Sequence, residues 1–122
     1  MHYIVLDFEW NQPLSEKEMI TEPFPFDSEI IEIGAVKLDE SFHSVDEFKT
    51  FIRPQFYPHM SNAVVQLTKI RPQELEKAPL FPEAFDAFID WCGDDCALCS
   101  WGPDDIPVLL DNMLLHGIPI EP

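Results

Sequence analysis

This chain is short of basic residues for its size. Lys and Arg together number 7 against 23 Asp and Glu, a formal net charge of −16 over 122 residues. Taken alone, that balance argues against a nucleic-acid binder, because affinity for a phosphate backbone rests largely on Lys and Arg. It points instead to an acidic soluble protein with a cationic partner. Cysteine is scarce too, at Cys92, Cys96 and Cys99. An odd number without an export signal favours free thiols over a disulfide framework. Cys96 and Cys99 form a CxxC, but CALCSW reads as a buried strand, on which residues three apart face opposite ways. Two such sulfurs do not share a metal, and no fourth zinc ligand is evident. No apolar run is long enough to span a membrane. The start, MHYIVLDFEW, lacks a basic segment and acquires acids too early for a secretory signal. The default expectation is a cytoplasmic address. There is no internal repeat and no low-complexity segment.

What is present is a core. Hydrophobic residues make up 46% of the chain, with ten Phe and three Trp, which excludes an ordinary disordered chain. The length suits one domain, residues 1–122. His2–Glu9 (HYIVLDFE) reads as a central strand. Gln12–Asp27 is polar with three prolines and reads as a loop. Glu29–Leu38 is a second strand, Glu40-Ser41 a hairpin turn, and Val45–Arg53 an antiparallel third strand. Ser61 is a candidate N-cap for a short helix through Gln66, and Pro72 opens another over PQELEK. Pro82 starts a helix to about Trp91, with Phe85, Phe88, Ile89 and Cys92 as its core stripe. Cys96–Trp101 is a fourth strand. Pro103–His116 is a last helix with Ile106, Leu109, Leu110, Met113 and Leu114 inward, stopped by Gly117 and Pro119. The order β-β-β-α-β-α predicts an α/β fold. A mixed sheet of three antiparallel strands, followed by βα units, carries flanking helices.

Two places carry chemistry. Asp7 and Glu9 lie two apart on an apolar strand, so both carboxylates share one face. Ionised groups there are costly unless something pairs with them, and the first basic residue is Lys17. A divalent cation such as Mg²⁺ or Mn²⁺ is the simplest partner for hard carboxylate oxygens. The alternative is an edge strand with this face in water. At Ser100–Asp105 a strand ends, Gly102 permits a tight turn and a helix begins. Asp104 and Asp105 fall in its first turn, where acids are also favoured simply by the helix dipole.

The runs IVLDFEWN and SEIIEIGAVKLDE resemble the first motif of the DEDD (DnaQ-like, DEDDh-type) 3′–5′ exonuclease family, closest to its RNA-directed branch. In that family Asp-x-Glu on the first strand lies beside an isoleucine-glycine-alanine second strand. QLTKI (Gln66–Ile70) resembles the family's Leu-Thr-x-Ile turn near the terminal nucleotide. SWGPDD resembles the second motif, Trp-Gly-x-x-Asp, whose spacing selects Asp105 rather than Asp104.

The resemblance implies a ribonuclease H-like fold and a metal-dependent enzyme that removes nucleotides from the 3′ end of single-stranded RNA or DNA. It implies two Mg²⁺ or Mn²⁺ ions about 4 Å apart, with Asp7 bridging them, Glu9 on the ion that activates water and Asp105 on the other. Phe8, Trp10, Leu67 and Thr68 are the implied substrate-binding residues. Trp10 is the better stacking candidate; Phe8 and Trp101 suit core packing as well. The family's third motif, His-x-x-x-x-Asp, supplies the general base and a fourth carboxylate. Here His2 and Asp7 have the spacing but lie on the first strand, and His116 with Glu121 straddles a helix end. The expectation is a C-terminally incomplete domain, weak or inactive alone, that self-associates through an uncovered sheet face. Two other readings stand beside it. One is a catalytically dead module whose acidic surface meets a basic partner. The other is an acidic scaffold with solvated Asp7 and Glu9.

Overall fold

The computed structural model describes residues 1–100 and 102–118. The elements follow as β1 (His2–Asn11), a 3₁₀ turn (Glu16–Glu18), β2 (Glu29–Leu38), β3 (Ser44–Phe51), α1 (Asn62–Thr68), α2 (Pro72–Leu75), α3 (Phe81–Cys92), β4 (Cys96–Ser100) and α4 (Asp105–Leu115). The sheet order is β3-β2-β1-β4. β1 pairs antiparallel with β2 and parallel with β4, and β2 pairs antiparallel with β3. This is the mixed sheet the sequence predicts.

Period-two alternation sets the faces of β1. Ile4, Leu6 and Phe8 are buried and join Ile33 and Ala35 of β2 in one core with Phe81, Phe85 and Phe88 of α3. Tyr3, Val5, Asp7 and Glu9 therefore take the opposite face. A register shift between Glu9 and Trp10 ends the regular alternation. β2 and β3 are joined by a turn governed by Asp39. Its carboxylate accepts from the backbone N–H groups of Ser41 and His43, and Phe42 sits in the left-handed region at φ 64°.

The helices obey their capping signals. The Ser61 hydroxyl accepts from the Val64 N–H at the start of α1. Gly117, at φ 70°, closes α4 with its N–H on the Leu114 carbonyl. α3 buries Phe81, Ala84, Phe85, Phe88 and Cys92. Burying each such aromatic contributes about 1.5–3 kcal/mol.

Three expectations require correction. Ile89 is exposed, because the inner stripe of α3 runs through Phe81, Ala84, Phe85 and Phe88 and leaves Ile89 beyond its edge. Leu114 is exposed likewise, while Val108 and Asn112 take inward places on α4. β4 is not a buried strand: β1 is its single partner among the described residues, and Leu98 and Cys99 are exposed. The three cysteines are free, and burial pushes the Cys92 thiol up to about 11. Trp101, Pro119 and Glu121 lie outside the described residues. No helix among the described residues is long and apolar enough to cross a membrane.

Buried polar side chains fix the parts around the sheet's end. Asn112 on α4 donates to the Ser28 and Val108 carbonyls and accepts from the Ile30 N–H. Asn11 and Glu29 are register partners and hold one loop between them. Asn11 donates to the carbonyls of Tyr57 and His59, and the Glu29 carboxylate accepts from the N–H groups of Gln55, Phe56 and Tyr57. That loop leads into α1.

Candidate active site

β1 positions two of the three candidate carboxylates. Asp7 is exposed and Glu9 half-buried on the face opposite α3. The third arrives from α4. The Phe8 N–H donates to the Asp105 carboxylate at 3.2 Å, so Asp105 is bound to the backbone between Asp7 and Glu9. Asp105 still lies in the first turn of α4, where the helix dipole favours an acid. Asp104 is the N-cap residue, no side chain caps the helix, and the Asp105 carboxylate is committed to β1.

β2 completes the surroundings. Gly34 is the register partner of Asp7, and Glu32 that of Glu9. A methyl group on Gly34 would come within 2.9 Å of the Asp7 carbonyl oxygen, so this close approach of the strands requires glycine. On β3, Lys49 is the partner of Gly34. Its ammonium lies 3.6 Å from the Glu32 carboxylate. Asp7, Glu32, Gly34 and Lys49 share the lining of an open groove of about 660 Å³.

Negative charge accumulates here. Burial, then the proximity of Asp7, Glu32 and Asp105, raises the Glu9 carboxyl above its ordinary range. Burial also raises Glu32, opposed by Lys49 and reinforced by Asp7 and Glu74. Among the described residues no salt bridge involves Asp7, Glu9 or Asp105. Hard oxygen donors with unbalanced charge suit Mg²⁺ or Mn²⁺. Among the described residues no group of three or more His, Cys, Asp or Glu side chains is arranged to hold a metal ion.

The other expected site residues divide. The Phe8 ring is buried, edge-on to Phe88, and presents no face for stacking. Its backbone N–H is what serves the site. Trp10 is half-buried against the core past the register shift, so it is not the freely exposed ring that stacking favours. Leu67 is 82% exposed. The Thr68 hydroxyl is spent locally, donating to the Val64 carbonyl and accepting from the Ile70 N–H. His116 stacks on Phe81 and meets Phe56 edge-on, and burial lowers its basicity. His2 and Asp7 take opposite faces of β1 by alternation. Sequence reasoning missed Glu32 and Lys49. The available signal was the place of Glu32 two residues before Gly34 on β2 and of Lys49 on the neighbouring β3.

Comparison with known proteins agrees with this arrangement. A family model for exonucleases, RNase_T, matches residues 4–111. The 3′-5′ exonuclease eri1 of Schizosaccharomyces pombe is 34% identical over 64 residues, 52% of this chain and 22% of that protein. The human 3′-5′ exoribonuclease 1 is 31% identical over 70 residues, 57% of this chain and 20% of that protein. The chain thus matches only about a fifth of the length of either relative. The nuclease domain of 3′hExo, a DEDDh family member solved bound to rAMP, superposes with a TM-score of 0.80 at 25% identity, covering 99% of this chain and 62% of that one. With the family model spanning most of its length, this chain belongs to the exonuclease family, and its matched relatives are 3′–5′ exonucleases.

Proposed function

We propose that this chain carries a metal-dependent 3′–5′ exonuclease site that takes the 3′ end of single-stranded RNA or DNA, with Asp7, Glu9 and Asp105 as metal-binding carboxylates. The observation that carries the reading is the Asp105–Phe8 hydrogen bond, which joins residues 97 positions apart into one cluster with Asp7 and Glu9. Structural relatives described as bound to rAMP or as recognising a histone mRNA stem-loop 3′ end support the substrate class.

Divalent ions held there would polarise the scissile phosphate and lower the pKa of an attacking water. The chain's own part is to set carboxylates on a rigid strand and to fix Asp105 through the β1 backbone. It also leaves the space over Gly34 free of side chain. Among the described residues neither His2 nor His116, the two histidines with the third-motif spacing, stands at the carboxylates. His2 takes the face of β1 opposite Asp7, and His116 is packed among aromatic rings. Hydrolysis by this chain alone is therefore expected to be slow. The same fact favours a second reading, a module that binds 3′ ends without cutting them.

A single-stranded oligonucleotide labelled at its 5′ end, incubated with Mn²⁺, separates the two. A ladder shortening from the 3′ end, abolished by EDTA and by Asp7→Asn, supports the exonuclease. Binding without shortening at high protein concentration supports the second reading. Internal cuts contradict both.

A further inference from the structure

The scarcity of cations is not uniform along the chain. Residues 49–77 hold five of the seven basic residues, Lys49, Arg53, Lys69, Arg71 and Lys77, and only two of the 23 acids, Glu74 and Glu76. This stretch is net positive in a chain that is otherwise almost wholly acidic.

Its charges border the carboxylate cluster. Lys49 stands across Gly34 from Asp7 in register and shares the same groove. Glu74, on α2, feels Arg71 and Lys49, and Glu32 feels both Lys49 and Glu74. Lys49 pairs with Glu32 and Arg71 with Glu74, and the two pairs lie within electrostatic reach of each other. The two cations are held lightly. Lys49 is 66% exposed in its 3.6 Å pair with Glu32, and Arg71 is 72% exposed in its i,i+3 pair with Glu74. The exposed Arg71 pair contributes little and yields readily to a better anion, whereas Glu32, the partner of Lys49, is only 14% exposed. Lys69, also exposed, adds a third charge two residues before Arg71, at the left-handed end of α1 with φ 63°.

We infer that Lys49 and Arg71 form a basic rim that holds the phosphates of the substrate strand as it crosses the groove over Gly34 toward the carboxylates. This rests on the exonuclease reading and names the side from which the strand is held. It also answers the charge conflict in the composition. Of the few cations, Lys49 lines the groove, beside the carboxylates of Asp7, Glu32 and Glu47.

The test is fluorescence anisotropy of a labelled single-stranded oligonucleotide with cleavage-resistant phosphorothioate linkages at its 3′ end, in Mn²⁺, across a salt series. Lys49→Gln with Arg71→Gln should bind about tenfold more weakly. Its log–log salt slope should be shallower by about 1.4, at roughly 0.7 per lost phosphate contact on a single strand. Lys17→Gln should match wild type, and both exposed changes should leave the thermal midpoint in place. Wild-type binding that persists unchanged in the double variant, slope included, overturns the rim and leaves the exonuclease reading standing. Absence of saturable binding by wild type overturns that reading and the rim with it.

Discussion

The Phe8 backbone N–H and the Asp105 carboxylate meet at 3.2 Å across 97 residues of chain. The bond ties the first turn of α4 to the middle of β1, and it gives Asp105 a structural role beside the chemical one proposed for it. The two roles separate by substitution. Asp105→Asn keeps an oxygen for the Phe8 N–H and should change stability by less than about 1 kcal/mol. Asp105→Ala leaves that half-buried donor without its partner and should cost about 1–3 kcal/mol. Both should abolish hydrolysis. Chemical denaturation read beside an oligonucleotide assay checks the pair, and an active Asp105→Asn protein would remove Asp105 from the chemistry.

Gly34 offers a test of the groove floor. Alanine there places a methyl group 2.9 Å from the Asp7 carbonyl oxygen, so β1 must shift at the residue that carries the first carboxylate. Overpacking of this kind costs about 1–3 kcal/mol. Activity should fall further than stability, because the displacement falls on Asp7. Equal metal affinity in Gly34→Ala and wild type, measured by titration, would contradict this.

Much of this architecture was legible in the sequence, for definite reasons. Asp7 and Glu9 lie two apart on the apolar strand HYIVLDFE, so their sharing of one face follows from period two. The spacing in SWGPDD selected Asp105 over Asp104, and the structure gives that residue the contact with β1. What stayed hidden depends on contacts between distant segments. Nothing in EIIEIGAVKL marks Glu29 as the buried acceptor of three loop N–H groups, or Glu32 as a fourth carboxylate near the cluster. A hydrophobic stripe also gives the phase of a helix only to about one residue, which is why Ile89 and Leu114 were placed inward. β4 looked buried because CALCS is apolar. Its exposure follows from its place beside β1 alone among the described residues, which composition does not encode.

Glu29 should behave as a structural carboxylate. Glu29→Ala leaves the Gln55, Phe56 and Tyr57 N–H groups without their acceptor and should cost about 3 kcal/mol or more. Glu29→Gln, which keeps one acceptor oxygen, should cost less. Hydrogen exchange at residues 55–57 should accelerate in the alanine variant before the core strands respond. Unchanged protection there would contradict the clamp.

The pH dependence has a definite sign. The Glu9 carboxyl titrates above its ordinary value because of burial and its acidic neighbours, so the folded chain binds its proton more tightly than the unfolded one. Without metal, its contribution to stability therefore declines as pH rises from the ordinary carboxylate range through the folded value. Glu9→Gln should be more stable than wild type at neutral pH in EDTA, and the difference should shrink toward acid. Added Mn²⁺ should reverse the ranking at neutral pH. Thermal melts at several pH values, with and without Mn²⁺, check this; a gap that is flat with pH would contradict it.

The most direct measurement is calorimetric titration of Mn²⁺ into wild type, Asp7→Asn and Asp105→Asn at neutral pH. The account predicts saturable binding by wild type that is lost or greatly weakened in both variants, because carboxylates from β1 and α4 form one site. Undiminished binding in Asp105→Asn, or no binding by wild type, would contradict the claim that Asp7, Glu9 and Asp105 act together on a metal ion.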